Sequence, residues 1–144
     1  MVHQNEEPGI SRRTAICALS LIGVGIVTSA ESAVAATGVK ILSNGKVQVT
    51  LKSNPALKKV GGVVRIDDVK GKSIALVRTS TKSYTAVNLL CTHLGGQLFQ
   101  TGNQWQCDEH GATFTLAGKN LVGPATTALK QLPVKATASV VTIG

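Results

Sequence analysis

The sequence predicts an all-β domain, an antiparallel sandwich or barrel. Aromatic residues make up only 3% of the chain and glycine is frequent, at 15 residues, while Val, Thr and Leu recur in short runs of the kind that fit a pleated surface. Turn signals recur about every ten residues through the middle of the chain, as they do in meandering antiparallel sheets. Beyond the first 35 residues no segment shows the apolar period of an amphipathic helix. A length of 144 residues suits one domain with a modest core.

The first 35 residues read as an export signal. Met1 to Gly9 is polar, Ser11-Arg12-Arg13-Thr14 follows, and an apolar run from Ala15 to Val27 is broken only by Ser20. Ala33-Val34-Ala35 then offers an A-x-A cleavage site. The paired arginines predict the twin-arginine route, which carries folded proteins and so suits a cofactor loaded before export. The alternative is an uncleaved membrane anchor, although the run is short of the roughly 20 residues of a full span. Cys17 has no lipobox before it and reads as apolar filler. The expected location is the periplasm or the outer face of the bacterial inner membrane, with the N-terminal segment as the place for membrane contact.

Residues 36–144 form the expected domain. Asn44-Gly45 signals a turn, and Lys46 to Lys52 reads as a strand, because Val47, Val49 and Leu51 alternate with polar residues. It is the one strand expected in the segment Thr37 to Lys59. Lys58-Lys59-Val60-Gly61-Gly62 separates it from a second strand, Val63 to Ile66. Asp67 to Lys72 reads as a polar turn, Ser73 to Arg78 as a third strand, Thr79 to Ser83 as a turn and Tyr84 to Leu90 as a fourth strand. Leu132 to Lys135 and Ser139 to Ile143 read as two closing strands. The stretch from Cys91 to Pro124 is rich in Gly and reads as irregular. The formal charge of +8 is spread over singly placed lysines, with no dense basic tract and no row of aromatics to stack on bases, which argues against nucleic acid as a partner.

The irregular stretch holds the chemistry. After the leader the chain has two Cys and two His, and all four fall within twenty residues: Cys91, His93, Cys107 and His110. The remaining Cys and His, Cys17 and His3, lie in the leader. Such a quartet is what metal sites are made of. Zinc is one reading, as a structural module, although zinc fingers usually present a Cys pair and then a His pair. Here each half supplies one thiolate and one imidazole. That order suits two loops pinching a diamond of two irons and two sulfides, with both thiolates on one iron and both imidazoles on the other.

Cys91-Thr92-His93-Leu94-Gly95 and Cys107-x-x-His110-Gly111 resemble the two signature boxes of the Rieske iron–sulfur family, and Gly123-Pro124-Ala125 resembles its proline loop. The likeness covers about residues 60 to 140. It implies a [2Fe–2S] cluster with Cys91 and Cys107 on the inner iron and His93 and His110 on the outer iron. It also implies an antiparallel β domain with a small cluster-binding subdomain at about Leu89 to Pro124. Exported members often keep the leader as an anchor. With neutral imidazoles the oxidised cluster is formally about neutral, so an electron enters more easily than with four thiolates.

The departures from the family pattern matter too. Respiratory members carry two further Cys joined as a disulfide, and the matching positions here are Gly96 and Glu109. The Ser and Tyr that donate hydrogen bonds to the cluster in those members are matched by Ala112 and Phe114, which cannot donate. Thr113 lies between them, one residue out of place. Asp108 and Glu109 read as solvated loop charges whose field would oppose electron entry. These features predict a potential in the lower half of the Rieske range of about −150 to +300 mV.

The expected function is one-electron transfer, as a free carrier or as the small subunit of a larger oxidoreductase. The second reading is the iron–sulfur subunit of a cytochrome bc-type quinol oxidoreductase, with a cytochrome b as partner. No complete catalytic site is expected: a ring-hydroxylating oxygenase needs a 2-His-1-carboxylate iron site, and this chain has no spare His for one. The electron donor and acceptor are redox proteins that the sequence does not name.

Overall fold

The computed structural model describes residues 34–144. The paired arginines, the apolar run, Cys17 and His3 lie outside the described residues. Thirteen strands are described: β1 (Val34–Ala35), β2 (Val39–Ile41), β3 (Val47–Thr50), β4 (Val63–Val69), β5 (Lys72–Arg78), β6 (Tyr84–Asn88), β7 (Leu98–Thr101), β8 (Gln104–Cys107), β9 (Thr113–Thr115), β10 (Asn120–Val122), β11 (Gln131–Leu132), β12 (Val134–Ala136) and β13 (Val140–Ile143). Two short 3₁₀ turns, Leu51–Ser53 and Pro55–Lys58, follow β3. Among the described residues no helix is long and apolar enough to cross a membrane.

The strands make three sheets, ordered β1-β4-β5-β6-β11, β12-β13-β3-β2 and β10-β9-β8-β7. All pairings are antiparallel except that of β1 with β4. The five-stranded sheet is the middle layer, and its strands show why. β5 is apolar along Ile74, Ala75, Leu76 and Val77, and all four are buried. A strand that is apolar on both faces must be covered on both. Ile74 and Leu76, with Val64, Ile66 and Ala86, pack against Val47 and Val49 of β3 and Val141 and Ile143 of β13. Ala75 and Val77, with Val63 and Val87, pack against Leu98, Trp105 and Phe114 of the third sheet. Trp105 and Phe114 are fully buried there, aromatics whose truncation in such cores costs about 3–5 kcal/mol. Cys91 and Cys107 belong to this same apolar cluster.

Several expected boundaries move, each for a physical reason. The stretch between Cys91 and Pro124 is not irregular: it contains β7 to β10. Those strands are three or four residues long, too short for an apolar alternation to stand out. The segment before Lys59 holds β2 as well as β3, and β3 stops at Thr50, where the chain tightens into the 3₁₀ turn. β4 runs on through the two aspartates to Val69, with a register shift between Ile66 and Val69 and Asp68 at φ 58°. The turn proper is Lys70-Gly71, both residues at positive φ, the two-residue loop that suits strand twist. β6 ends at Asn88, and Leu90 makes only an isolated bridge to Gln97. The run Leu132 to Lys135 is two strands in different sheets. Leu132 pairs with Ala86 and Val134 with Ile143, and Pro133, which has no N–H for a ladder, stands at the crossing.

Candidate metal centre

Cys91 follows β6 and its two residues of extension, Leu89 and Leu90. Cys107 is the last residue of β8. The two strands deliver their cysteines into loops of one design. Cys91 N–H donates to the Gly96 carbonyl at 2.7 Å, and Gly95 N–H returns to the Cys91 carbonyl at 3.0 Å. Cys107 N–H donates to the Ala112 carbonyl at 2.8 Å, and Gly111 N–H returns to the Cys107 carbonyl at 3.0 Å. The reversal falls on Gly95 at φ 87° and Gly111 at φ 72°, a left-handed conformation that a Cβ would strain.

The donors sort into two pairs by depth. Both sulfurs are buried, with Cys91 at 3% exposure and Cys107 at 0%, and both are free thiols. Burial pushes the Cys91 thiol above its ordinary pKa, and the adjacent Cys107 sulfur raises it further, while the backbone amides of His93 and Leu94 work the other way by donating toward it. The imidazoles lie nearer solvent. His93 is exposed and the His110 side chain is 27% exposed. Their rings meet edge to face with centroids 4.8 Å apart at 78°. His110 Nδ1 is 3.8 Å from Cys107 Sγ, so this is the ring nitrogen turned toward the thiols. All four residues singled out from the sequence therefore come together. Among the described residues, no three His, Cys, Asp or Glu side chains converge as ligands of a single ion. Two buried thiols below two surface imidazoles form a site with two ends.

The loops touch where the family disulfide would lie. A Cβ on Gly96 would stand 2.9 Å from Cys107 Sγ and 3.3 Å from Glu109 Cδ, so the two loops are in close contact at this glycine. Glu109 Oε2 is 4.0 Å from His110 Nδ1. Ala112 and Phe114 are fully buried beside Cys107 in the apolar cluster and offer no side-chain donor. The Thr113 hydroxyl is buried without a hydrogen-bond partner among the described residues.

Three supports were not legible in the sequence. Thr92 Oγ1 donates to the Thr127 carbonyl at 2.7 Å and ties the first loop to the chain beyond the proline loop. Asn120 Nδ2 donates to the Ala125 carbonyl at 2.8 Å and holds the proline loop itself. Arg65 Nη1 donates to the Leu98 carbonyl at 2.9 Å and fastens the third sheet to the middle one. A polar residue in a strand or loop carries no mark of a partner 5 to 35 residues away. Only Thr92, standing between two candidate ligands, had a position that could have drawn notice.

Residues 47–133, more than half of the chain, match the family described as the Rieske [2Fe-2S] domain. The chain belongs to that family. A Rieske domain binds a [2Fe–2S] cluster, and the protein is a one-electron carrier of the Rieske type. Among solved structures it is similar to the plasma membrane Rieske protein PetC3 of the cyanobacterium Synechocystis PCC 6803. The two share 28% identity over 62% of this chain and 92% of that one, with a TM-score of 0.52. It shares its fold with the quaternary ammonium Rieske monooxygenase CntA, at 20% identity over 63% of this chain but only 30% of that one, with a TM-score of 0.52. No curated protein matches this chain in sequence.

The residues present fit a Rieske cluster on their own chemistry. A two-iron core needs two ligand pairs separated along one axis, soft thiolates at one end and imidazoles at the other. The buried thiol pair and the edge-to-face imidazole pair supply that separation, and the Gly96 approach leaves no side chain between them.

Proposed function

We propose that Cys91 and Cys107 hold the inner iron and His93 and His110 the outer iron of the cluster, and that electrons pass through the imidazole end. The observation that carries this reading is the sorting of donors by depth: two sulfurs inside the apolar core and two imidazoles in edge contact at the surface. A bound [2Fe–2S] cluster supplies a one-electron couple. The chain's part is to hold it in a dry pocket and to bring its ligands to the surface. Leu98, Trp105, Phe114 and Leu129 surround the thiols and exclude water from them. The amides of His93 and Leu94 donate toward the Cys91 sulfur and favour its thiolate. Exposed His93 and Leu94, the latter 72% exposed, form the edge that a redox partner would meet.

The protein works as an exported carrier or as the small electron-transfer subunit of a larger oxidoreductase. The twin arginines and apolar run of the leader support export. Cleavage after Ala35 would remove β1, whereas an uncleaved anchor would keep it. No observation favours the quinol-oxidoreductase reading with a cytochrome b partner: at the disulfide positions Gly96 faces Glu109, and Ala112 and Phe114 donate nothing.

The test is replacement of His110 by Cys. Exchanging a neutral imidazole for a thiolate lowers the potential, by about 100–350 mV if half the difference between Rieske and four-thiolate clusters is lost. Voltammetry and iron and sulfide content on the same sample decide it. An unchanged potential with full cluster content would remove His110 from the ligand set.

A further inference from the structure

The charges of the described fold are sorted by place. Residues 89–124, which contain the cluster loops, carry one cation, Lys119, and two acids, Asp108 and Glu109. Residues 34–88 and 125–144 carry twelve Lys and Arg against only Asp67 and Asp68. Exposed apolar residues sort the other way. Leu90, Leu94, Phe99, Leu121 and Val122 are on the cluster side, whereas the rest of the fold exposes only Ile41 and Val60 among its large hydrophobics. A face that docks a protein needs an apolar centre inside a polar rim. The cluster side has the apolar residues, and the basic side has charge without them.

The basic side has two ends: at the Asn88 end Lys70, Lys72 and Lys130 line a cleft of about 220 Å³, and the larger cleft lies at the other end. Tyr84 and Asn88 are the two ends of β6, and the chain goes on from Asn88 to Cys91, so the Tyr84 end lies away from the cluster. There a cleft of about 720 Å³ is lined by Lys52, Lys58, Lys82, Arg78 and Tyr84, with no acidic residue in its wall. Arg78 is spent on structure, donating to the carbonyls of Leu57 at 2.9 Å, Lys58 at 3.0 Å and Ser80 at 3.1 Å, and also to that of Thr81. Lys52, Lys58 and Lys82 have no carboxylate within ion-pair distance among the described residues. The adjoining loop places Val60, 57% exposed, beside Lys58 and Lys59, and Gly61 N–H donates to the Arg78 carbonyl at 2.8 Å to hold that loop at the same end.

A second observation concerns the chain that precedes the fold. β1 pairs in parallel with β4, Val34 opposite Val64 and Ala35 opposite Arg65. Its first residue therefore lies at the start of β4, next to the Lys58–Gly62 loop. Residues 1–33, with their apolar run, join the fold at the end that carries the cleft. Lysines that reach past apolar stems, a Tyr, one exposed Val and an adjoining apolar segment are the features of a surface that meets lipid headgroups.

We propose that this end, through Lys52, Lys58, Lys59 and Lys82, rests on an anionic phospholipid surface and so holds the cluster loops on the far side, facing away from the membrane. A juxtamembrane Lys is worth about 1 kcal/mol on such a surface, or about fivefold in occupancy.

The experiment is a lysine footprint of the full chain with its cluster assembled. Acetylation by an N-hydroxysuccinimide ester is followed by mass spectrometry with pure phosphatidylcholine vesicles and with mixed phosphatidylglycerol–phosphatidylcholine vesicles. On the anionic vesicles, acetylation of Lys52, Lys58, Lys59 and Lys82 should slow about fivefold while Lys70, Lys72, Lys130 and Lys119 stay reactive. High salt should restore the rate, and neutral vesicles should not slow it, even if the apolar run tethers the chain to them. Joint replacement Lys52→Glu, Lys58→Glu and Lys82→Glu should abolish protection of Lys59, and the visible spectrum of the cluster reports that this variant is folded. Absence of protection, uniform protection, or protection centred on Lys119 or on Lys70, Lys72 and Lys130 would overturn the proposal. Protection by polyglutamate but not by vesicles would reassign the end to an acidic protein. Cluster content is read independently of the footprint, so failure here leaves the ligand assignment standing.

Discussion

The loops 91–96 and 107–112 share a backbone and differ in nearly everything hung on it. Each begins with a buried Cys whose amide donates five residues ahead, and each turns on a glycine four residues on at positive φ. The imidazole stands two residues after the Cys in the first loop and three in the second. The last position is Gly96 in one and Ala112 in the other. The first loop is bare of charge, with exposed Leu94 beside its His, and Thr92 ties it to Thr127. The second carries Asp108 and Glu109. The backbone thus fixes the sulfurs, while the side chains around each imidazole are free to set its local field. One scaffold used twice gives two different surroundings for its imidazoles.

Making the final positions of the two loops alike should have the largest effect. Gly96→Ala puts a Cβ 2.9 Å from Cys107 Sγ, closer than carbon and sulfur stand, so the buried sulfur or its loop must shift. The variant should purify with most of its iron lost, measured as iron and sulfide per chain. The reciprocal Ala112→Gly should keep the cluster at a stability cost of roughly 1 kcal/mol. A fully loaded Gly96→Ala protein would show that the close approach is incidental.

The second loop can be given the donors it lacks. A hydrogen bond to a charged acceptor is worth about 1.5–3 kcal/mol, and only the part that strengthens on reduction moves the potential. Taking half of it, the pair Ala112→Ser and Phe114→Tyr should raise the potential by about 50–150 mV. The wild type should lie in the lower half of the Rieske range of about −150 to +300 mV. A double variant that does not rise would mean that backbone amides, such as those of His93 and Leu94 at the first sulfur, control both ends.

Glu109 marks the difference in charge between the loops. Its carboxylate is 4.0 Å from His110 Nδ1 but 64% exposed, so water screens it. At that distance in high dielectric the interaction is about 1 kcal/mol, which sets a ceiling of about 40 mV for the rise in Glu109→Gln. The rise should shrink in high salt. A shift that ignores salt would mean that Glu109 acts through loop geometry and not through its charge.

The smallest effect concerns the anchor under the first loop. Arg65 donates both to the Leu98 carbonyl and, at 2.8 Å, to Asp67. The Ser73 hydroxyl, and after it Arg65, lowers the Asp67 pKa, with partial burial opposing them. A carboxyl held below its ordinary pKa adds stability that is complete above that ordinary value and is lost as pH falls through the lowered one. Asp67 is half exposed, so the contribution is below about 1 kcal/mol. Thermal melts of Asp67→Asn should match wild type at pH 3 or lower and fall slightly below it near pH 7. A deficit that persists in strong acid would assign the loss to packing.

Fold class and family were legible from local pattern alone. Two Cys and two His in two short boxes, with no others beyond the leader, mark the candidate ligands because metal chemistry depends on residue identity and close spacing. The apolar run Ile74 to Val77 marked a strand for a reason equally local, and its cover on both faces came from the packing. Tertiary structure alone decided what depends on distant residues. It put strands into the stretch after Cys91, because Leu98, Trp105 and Phe114 find a core only against Val63, Ala75 and Val77. It split one apparent strand at Pro133 between two sheets. It set Gly96 against Cys107, sorted the sulfurs inward and the imidazoles outward, and brought Lys52, Lys58 and Lys82 to the end where the leader joins. Each of these is a contact between residues far apart in the chain, and a contact is a property of packing that no single residue or short pattern carries.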